Sequence, residues 1–393
     1  MNALLVFAAV IQVAIIFTWL WQHVEIQRIK SKRLFAARRS VNRNLPPVCV
    51  IIPARNEAGR IGECLRSIFQ QDYDGLRVIV VDDRSDDGTS ERARAAAAGD
   101  TRVSVQRIDE LPAGWCGKSH ALWRAAETAE SPWLLFVDAD GRLEPGGLAA
   151  MIQHAEKNRA DLLSLWPRDA SEGFWERLIV PLCGAMIVIW YGRAASGDDA
   201  STRAFANGQF LLIRREAYFK SGGHAAVREA IVEDIPLARR VKAAGWRVQS
   251  AIGANICSVR MYSSFREVVS GWTRIYIGVL TPLQIALSAV SILLGSLAPY
   301  VVLTFVLVVR DRVDSAWWRF FATLSVLHLT ALMVTSVRFF SLAQCRLRYL
   351  WLYPLSCVAV LMILFSAWIR RIGRSTIQWR GTTYRISRSK IEP

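Results

Sequence analysis

Residues 3–21, ALLVFAAVIQVAIIFTWLW, form an apolar run without a charged side chain, about as long as one helical crossing of a bilayer. No basic residue precedes the run, and a basic stretch follows it. A cleaved signal peptide has the opposite order of charge and a small-residue cleavage site. The run therefore reads as an anchor with its N-terminus outside and the chain from residue 22 onward in the cytoplasm, because cytoplasmic flanks carry the excess Lys and Arg. Three more apolar runs come late, at 277–309, 317–337 and 349–369. The first is too long for one straight crossing and contains Gly295 and Pro299, so it reads as an interfacial helix leading into a span. A softer run, FWERLIVPLCGAMIVIWYG (174–192), is interrupted by Pro181 and rimmed by Trp175, Trp190 and Tyr191. An in-plane interfacial helix fits it better than a crossing, which would split the domain around it. One span before that domain and three after would leave the C-terminus outside, whereas the basic tail argues for inside.

The composition agrees with a chain that is part soluble domain and part membrane. Over 393 residues, 52% are hydrophobic and 21% charged, which excludes a disordered chain and an ordinary soluble enzyme. The formal net charge of +16 could suggest nucleic acid, but its location argues otherwise. Residues 22–43 and 370–393 each carry seven Lys or Arg against one Glu, so they hold +12 of the +16 beside apolar runs. That is a topology signal and an attraction to anionic head groups, with no nucleic-acid partner implied. The seven cysteines are scattered and form no CxxC pair, so neither a disulfide framework nor a zinc site is expected.

Residues 46–270 read as a soluble α/β domain between the 22–45 linker and a membrane region at 271–370, with a tail at 371–393. CVIIPA (49–54), LRVIVVDD (76–83) and WLLFVDAD (133–140) are Val/Ile/Leu-rich runs of buried-strand type. Helical stretches at 57–71, 88–99 and 119–130 alternate with them, which predicts a doubly wound parallel sheet. Ser90 reads as an exposed position on the second of these helices.

Acids mark the strand ends, where open α/β sheets bind ligands. The first strand ends in Pro53-Ala54-Arg55-Asn56-Glu57, the second in Asp82-Asp83 followed by Asp86-Asp87-Gly88, and the third in Asp138-Ala139-Asp140. Carboxylates on three strand ends suit a hydroxyl-rich ligand and a hard cation such as Mg²⁺ or Mn²⁺, which shares few carboxylates with substrate phosphates. Asp138 and Asp140 are the expected metal pair, whereas Asp86 and Asp87 read as turn or cap residues. Gly114-Trp115-Cys116-Gly117-Lys118-Ser119-His120 precedes a helix, so Lys118 can meet a phosphate there and His120 reads as structural. There is neither GxxxxGK[ST] nor a GxGxxG after the first strand, which disfavours a P-loop and a dinucleotide fold. Glu233 and Asp234 open another helix and read either as charges at its N-terminus or as a general base.

Together these strings resemble the family 2 glycosyltransferases of the GT-A fold. They are VIIPARNEAGRIGECLRSIFQQDY (50–73), VIVVDDRSDDGT (78–89), GKSHAL (117–122), FVDAD (136–140), NGQFLLIRREAYFKSGG (207–223), VEDIPLARRVKAAGW (232–246) and WRGTTY (379–384). LPAGWCGK (111–118), FWERLIVP (174–181) and VRFF (337–340) make the chain look most like membrane hopanoid-associated and carotenoid-type members. The resemblance implies a Rossmann-like, nucleotide-diphospho-sugar transferase domain plus transmembrane helices. It implies an inverting, metal-dependent enzyme in the cytoplasmic membrane, taking a nucleotide-diphosphate sugar donor and a membrane lipid acceptor of hopanoid, carotenoid or polyprenyl type. Pro53, Arg55 and Glu57 would line the nucleotide pocket, Asp82 and Asp83 would lie at base and ribose, and Lys118 near ribose or phosphates. Asp138 and Asp140 would be the DxD pair, Asp140 the direct Mg²⁺ or Mn²⁺ ligand, and Asp234 the base. Processive members carry QxxRW after the base; here the stretch is Gly271-Trp272-Thr273-Arg274, without Gln and with Trp before Arg. That argues against a polymer synthase and leaves Trp272 and Arg274 for the diphosphate or acceptor. The rival expectations are a non-catalytic lipid-transport or sugar-nucleotide-sensing module on a decayed domain, and a nucleotidyl or phosphoglycosyl transferase.

Overall fold

A computed structural model describes residues 2–30, 33–36, 44–192, 204–309, 315–373, 376–379, 382–386 and 391–392. Lys32, Arg38, Arg39 and Arg43 of the first basic stretch, and Arg374, Arg380, Arg388 and Lys390 of the second, lie outside the described residues. The chain forms two compact units: an α/β unit of Lys32–Ala170, Val188–Met261 and Arg370–Pro393, and a helical unit of Met1–Ser31, Ser171–Ile187 and Tyr262–Ile369.

After helix α1 (Asn2–Lys30), the α/β unit runs β1 (Val48–Ala54), α2 (Ile61–Phe69), β2 (Leu76–Asp83), α3 (Thr89–Ala97), β3 (Val103–Ile108), α4 (Gly117–Thr128) and β4 (Trp133–Val137). It continues through β5 (Gly141–Leu143), α5 (Gly147–Lys157), β6 (Leu162–Trp166) and β7 (Arg168–Asp169). After α6 (Phe174–Tyr191) come β8 (Phe210–Arg214), α7 (Arg215–Lys220), α8 (Asp234–Ala243), β9 (Val248–Ile252) and β10 (Cys257–Val259). The main sheet has seven strands in the order β3-β2-β1-β4-β8-β6-β9. A small second sheet orders β5-β10-β7.

The three strands expected from sequence are present and parallel, with β1 between β2 and β4. The expectation of an all-parallel sheet needs correction: β8 is antiparallel to both β4 and β6. An apolar run such as FLLIR records burial but not direction, and direction was decided by where the chain re-enters the sheet after α6.

Alternate residues of one strand serve opposite faces, because side chains point either way along an extended backbone. Val48, Val50 and Ile52 of β1 pack with Ile61, Leu65 and Ile68 of α2 and Met151 and Ile152 of α5. Cys49 and Ile51 pack on the other face with Ala121, Leu122 and Ala125 of α4, Tyr218 of α7, and Leu237 and Val241 of α8. The centre of the sheet is thus covered on both sides, which leaves its strand ends for a ligand. Six of the seven cysteines are buried and Cys345 is half-buried, and none is disulfide-bonded.

The helical unit holds α1 and most of α6, then α9 (Phe265–Val279), α10 (Pro282–Ser291), α11 (Ala298–Val309), α12 (Ser315–Leu342) and, up to Ile369, α13 (Tyr353–Ile372). A last three-stranded sheet of β11 (Thr376–Trp379), β12 (Thr382–Ile386) and β13 (Ile391–Glu392) forms in the tail. Among the described residues, five helices are long and apolar enough to cross a membrane: Ala3–Gln27, Phe174–Tyr191, Pro282–Val309, Ala316–Leu342 and Leu347–Ile372. The long run at 277–309 resolves into two parts. The amphipathic α9 ends at Val279, and a continuous helix of 28 residues follows, roughly 42 Å at the standard rise, which is long enough for a single crossing. Its middle, Ile292–Leu297, widens into a π-helix. The carbonyl of Gly295 there accepts from Trp19 Nε1 and His328 Nε2, each at 2.9 Å. Gln12 and Ser325 bond at 3.2 Å between α1 and α12. Most of the run at 174–192, up to Ile187, belongs with these helices, and its end from Val188 with the α/β unit that encloses it in sequence.

Candidate active site at the strand ends

The loop after β1 and the loop after β2 are knitted together. Asn56 takes the left-handed conformation (φ 54°), and its backbone N–H donates to Ser85 Oγ at 3.0 Å. Glu57 N–H donates to Thr89 Oγ1 at 2.8 Å, and Ala58 N–H to Asp87 at 3.0 Å. Asp87 also accepts from Thr89 N–H at 3.1 Å at the start of α3. It therefore fills the turn role expected of it. Arg60 lies 3.5 Å from the buried Glu57 carboxylate.

Asp82 and Asp83 separate in role. Asp82 is fully buried, and its oxygens accept from Ser85 N–H (2.9 Å), Ser90 Oγ and Arg107 Nη1 (3.3 Å). It ties β2, β3 and α3 to one point. Ser90 is thus a buried partner of Asp82, correcting its reading as a surface position; an Oγ turned inward is invisible to a pattern that counts only apolar residues. Asp83 is held by Arg84 Nε at 2.8 Å and lies 3.6 Å from Arg55 Nη1. Against it stands Gly117, the first residue of α4, where an added Cβ would fall 2.1 Å from Asp83 Oδ2. Only glycine allows the α4 N-terminus this approach to the end of β2. Gly117→Ala is expected to lower stability by about 1–3 kcal/mol, as overpacking does; thermal unfolding checks it. His120 packs edge-on to Trp115 at 5.2 Å, and burial lowers its pKa.

Lys118 follows Gly117 and reaches across the site. Its Nζ lies 2.7 Å from Asp138 Oδ1 and 2.8 Å from Glu233 Oε1. Burial opposes its charge, but Asp138 and then Glu233 outweigh burial and raise its pKa, so it is an ammonium. Lys118 therefore joins the end of β4 to the start of α8, a contact that no spacing in the sequence shows. It also settles how Glu233 is used: its side chain makes no capping bond at the α8 N-terminus and instead pairs with Lys118.

Asp234 accepts from Gly208 N–H and Ile235 N–H, each at 2.7 Å. Burial and then the Glu233 charge push its carboxyl up to about 7, against the pull of Lys118 and the two N–H donors. A carboxyl in that range can exchange a proton near neutral pH. Beneath the cluster, the buried His224 bonds to Tyr218 at 2.8 Å, and burial followed by the charge of Lys118 holds its pKa down at about 3, so it stays neutral. Sequence reading missed this pair, because a lone His after two glycines carries no spacing signal.

Asp138 and Asp140 are half-buried at the end of β4, in a turn closed by Gly141 N–H on the Asp138 carbonyl at 2.8 Å. Burial and then the charges of Asp140, Asp138 and Glu57 push the Cys64 thiol up. Pro53 is half-buried in β1, paired with Val81. Pro53, Arg55, Glu57, Asp82, Asp83, Lys118, Asp138, Asp140 and Asp234 all belong to the α/β unit, whereas Trp272 and Arg274 lie on α9 in the helical unit.

The donor set fits a hard divalent cation. Asp138 and Asp140 are oxygen donors, and a cation, the Lys118 ammonium, already sits on Asp138. Among the described residues no group of three or more His, Cys, Asp or Glu could hold a metal by protein ligands alone. Two carboxylates suit Mg²⁺ or Mn²⁺, which keep waters and complete their shell from substrate phosphates.

A family model described as glycosyl transferase family 2 matches residues 49–234. The chain is 32% identical over 239 residues to the 4,4'-diaponeurosporenoate glycosyltransferase of Staphylococcus aureus strain USA300, covering 60% of this chain and 62% of that protein. The corresponding protein of strain MRSA252 is 33% identical over the same length. The chain thus spans 62% of the length of these curated relatives. Among solved structures, the mannosyltransferase PcManGT from Pyrobaculum calidifontis, in complex with GDP-Man and Mn²⁺, matches with TM-score 0.54 at 19% identity, over 93% of this chain and 99% of that one. At that identity the likeness is one of fold, and it bears out an α/β unit of GT-A type accompanied by apolar helices.

Proposed function

We propose, from the match of residues 49–234 to the family model described as glycosyl transferase family 2, that the chain transfers a sugar from a nucleotide-diphosphate donor to a lipid acceptor in the membrane, with inversion at the anomeric carbon. The observation that carries this reading is the convergence of Asp83, Lys118, the Asp138/Asp140 pair and the raised carboxyl of Asp234 at the ends of β2, β4 and the start of α8. Pro53, Arg55, Glu57 and Asp83 line the nucleotide side. Asp82 has both oxygens engaged within the domain and acts by holding that wall. Lys118 offers its ammonium to the diphosphate. Asp138 and Asp140 would hold Mg²⁺ or Mn²⁺, and the chemistry such a cation supplies is neutralisation of charge on the diphosphate. Ionised Asp234 accepts the acceptor's hydroxyl proton as the acceptor oxygen bonds to the anomeric carbon; the bond from that carbon to the diphosphate breaks, and the nucleoside diphosphate leaves. Trp272 and Arg274 are proposed contacts for the diphosphate or the acceptor.

The five apolar helices support a membrane-embedded protein and an acceptor that resides in the bilayer. The Staphylococcus aureus relative is named for 4,4'-diaponeurosporenoate, which favours an apolar isoprenoid acceptor over a sugar chain. The test is a panel of nucleotide sugars with the purified full chain, Mn²⁺ and a total bacterial lipid extract. A nucleoside diphosphate and a glycosylated lipid, identified by mass spectrometry, are expected. Release of a nucleoside monophosphate or pyrophosphate would instead indicate nucleotidyl or phosphoglycosyl transfer, and binding without turnover a sensing module.

The catalytic unit faces the cytoplasm on this reading, because of the basic stretch that follows α1. Ala95 is exposed on α3. Ala95→Cys in a Cys345→Ser background is expected to resist membrane-impermeant maleimide in intact cells and to label after lysis. Labelling in intact cells would put the unit outside.

A further inference from the structure

The Lys118 bridge has a consequence for how a cation reaches Asp138. We propose that Lys118 is a resident counter-ion that occupies Asp138 until the donor arrives, so that Mg²⁺ or Mn²⁺ binds only together with the diphosphate. This rests on the reading of Asp138 as a metal-holding carboxylate, and goes beyond it by assigning the order of binding to one side chain.

Three observations carry it. Lys118 Nζ stands 2.7 Å from Asp138 Oδ1, so an ammonium and a divalent cation compete for that carboxylate and repel one another there. The other anchor, Glu233, is 2.8 Å away with its side chain 7% exposed, whereas that of Asp138 is 28% exposed. A buried carboxylate stripped of its partner is costly, so the Glu233 end of the bridge is the fixed one and the Asp138 end is the one that opens. Finally, no third protein ligand stands by among the described residues. A divalent cation arriving alone would have to displace Lys118 for two carboxylates; arriving with a diphosphate, it brings oxygen ligands and gives the displaced ammonium an anion to meet. The flexible four-carbon stem of lysine allows this pivot, which a planar arginine fork would resist.

The experiment follows Mn²⁺ binding to the full chain in detergent by the electron paramagnetic resonance signal of free Mn²⁺, first with Mn²⁺ alone and then with ADP, CDP, GDP, UDP or dTDP. Wild type is expected to bind Mn²⁺ alone at least about tenfold more weakly than with the nucleotide it accepts, and Lys118→Met is expected to tighten binding of Mn²⁺ alone by about tenfold, the scale of one lost close cation. Lys118→Met/Glu233→Gln should behave alike without leaving Glu233 stranded, and a melting curve confirms that both variants fold. Adding Asp138→Asn to either should remove the gain. Arg124→Met, which removes an exposed charge on the same helix paired to Glu127 at 3.3 Å, should leave the Mn²⁺ affinity nearly unchanged. Unchanged Mn²⁺ affinity in both Lys118 variants would overturn the proposal, and so would an equal gain in Arg124→Met. If the wild type binds no Mn²⁺ with any nucleotide and neither Lys118 variant binds it alone, the metal reading itself fails and takes this inference with it.

Discussion

Asp140→Ala is expected to lose at least about 10²-fold in metal-dependent turnover while keeping its fold, since charge stabilisation at a departing diphosphate is worth several kcal/mol. The strand end explains why the two effects separate. β4 is held by backbone pairing to β1 and β8, and its terminal turn by the Gly141 N–H on the Asp138 carbonyl. Neither depends on the Asp140 side chain. With the carboxylate gone, Asp138 is the one remaining member of the pair, and it is shared with Lys118. The rate is to be measured across Mg²⁺ and Mn²⁺ concentrations, beside a melting curve. A near-normal rate at any of them would remove Asp140 from the metal assignment.

Asp234→Asn is expected to cut transfer to a hydroxyl acceptor by about 10²–10⁴-fold, the usual contribution of a general base, with the nucleotide affinity unchanged. The competing account, that this acid merely starts α8, predicts a different result. Both oxygens of Asp234 accept backbone N–H groups, and Asn has one acceptor oxygen, so Asn should cost about 1 kcal/mol of stability on either account. A purely structural residue would show that loss in melting temperature and little in turnover per folded molecule. The pH profile adds a second readout. The carboxyl of Asp234 is pushed up to about 7 by burial and by Glu233. Its proton-accepting form is therefore scarce well below pH 7 and dominant well above it, and wild-type turnover should rise through that range. The Asn variant should be flat there. Full transfer by Asp234→Asn would shift suspicion to Glu233 or to an acceptor that enters already ionised, such as a phosphate.

How much of this was legible in the sequence differs by residue. The ends of β1, β2 and β4 were read within a few residues, because Val/Ile/Leu runs that stop at Arg-Asn-Glu, Asp-Asp and Asp-Ala-Asp announce both burial and its limit. Helix α4 was expected to begin near Ser119 and begins at Gly117. The strand β8 was not placed and its antiparallel direction not foreseen, since FLLIR looks the same running either way. At the site, Asp138, Asp140 and Asp234 could be named from their motifs. The partition of Asp82 from Asp83 could not, because it depends on Ser90 and Arg107 closing over one carboxylate and Gly117 approaching the other. Glu233 was open between an N-terminal helix charge and a base, and turned out to pair with Lys118.

The chain by itself determined its apolar runs, the alternation that makes a covered sheet, and the residue types waiting at the strand ends. Those properties are local: a side chain's polarity and its spacing along the backbone settle which face it takes. The tertiary structure alone decided which charges meet. Lys118 and Glu233 stand 115 positions apart, and α8 carries the acid to the lysine only because Leu237 and Val241 bury against the same sheet face as Ala121 and Leu122 of α4. The strength of an ion pair falls with distance and with water between the charges, so its existence depends on packing that no sequence spacing records.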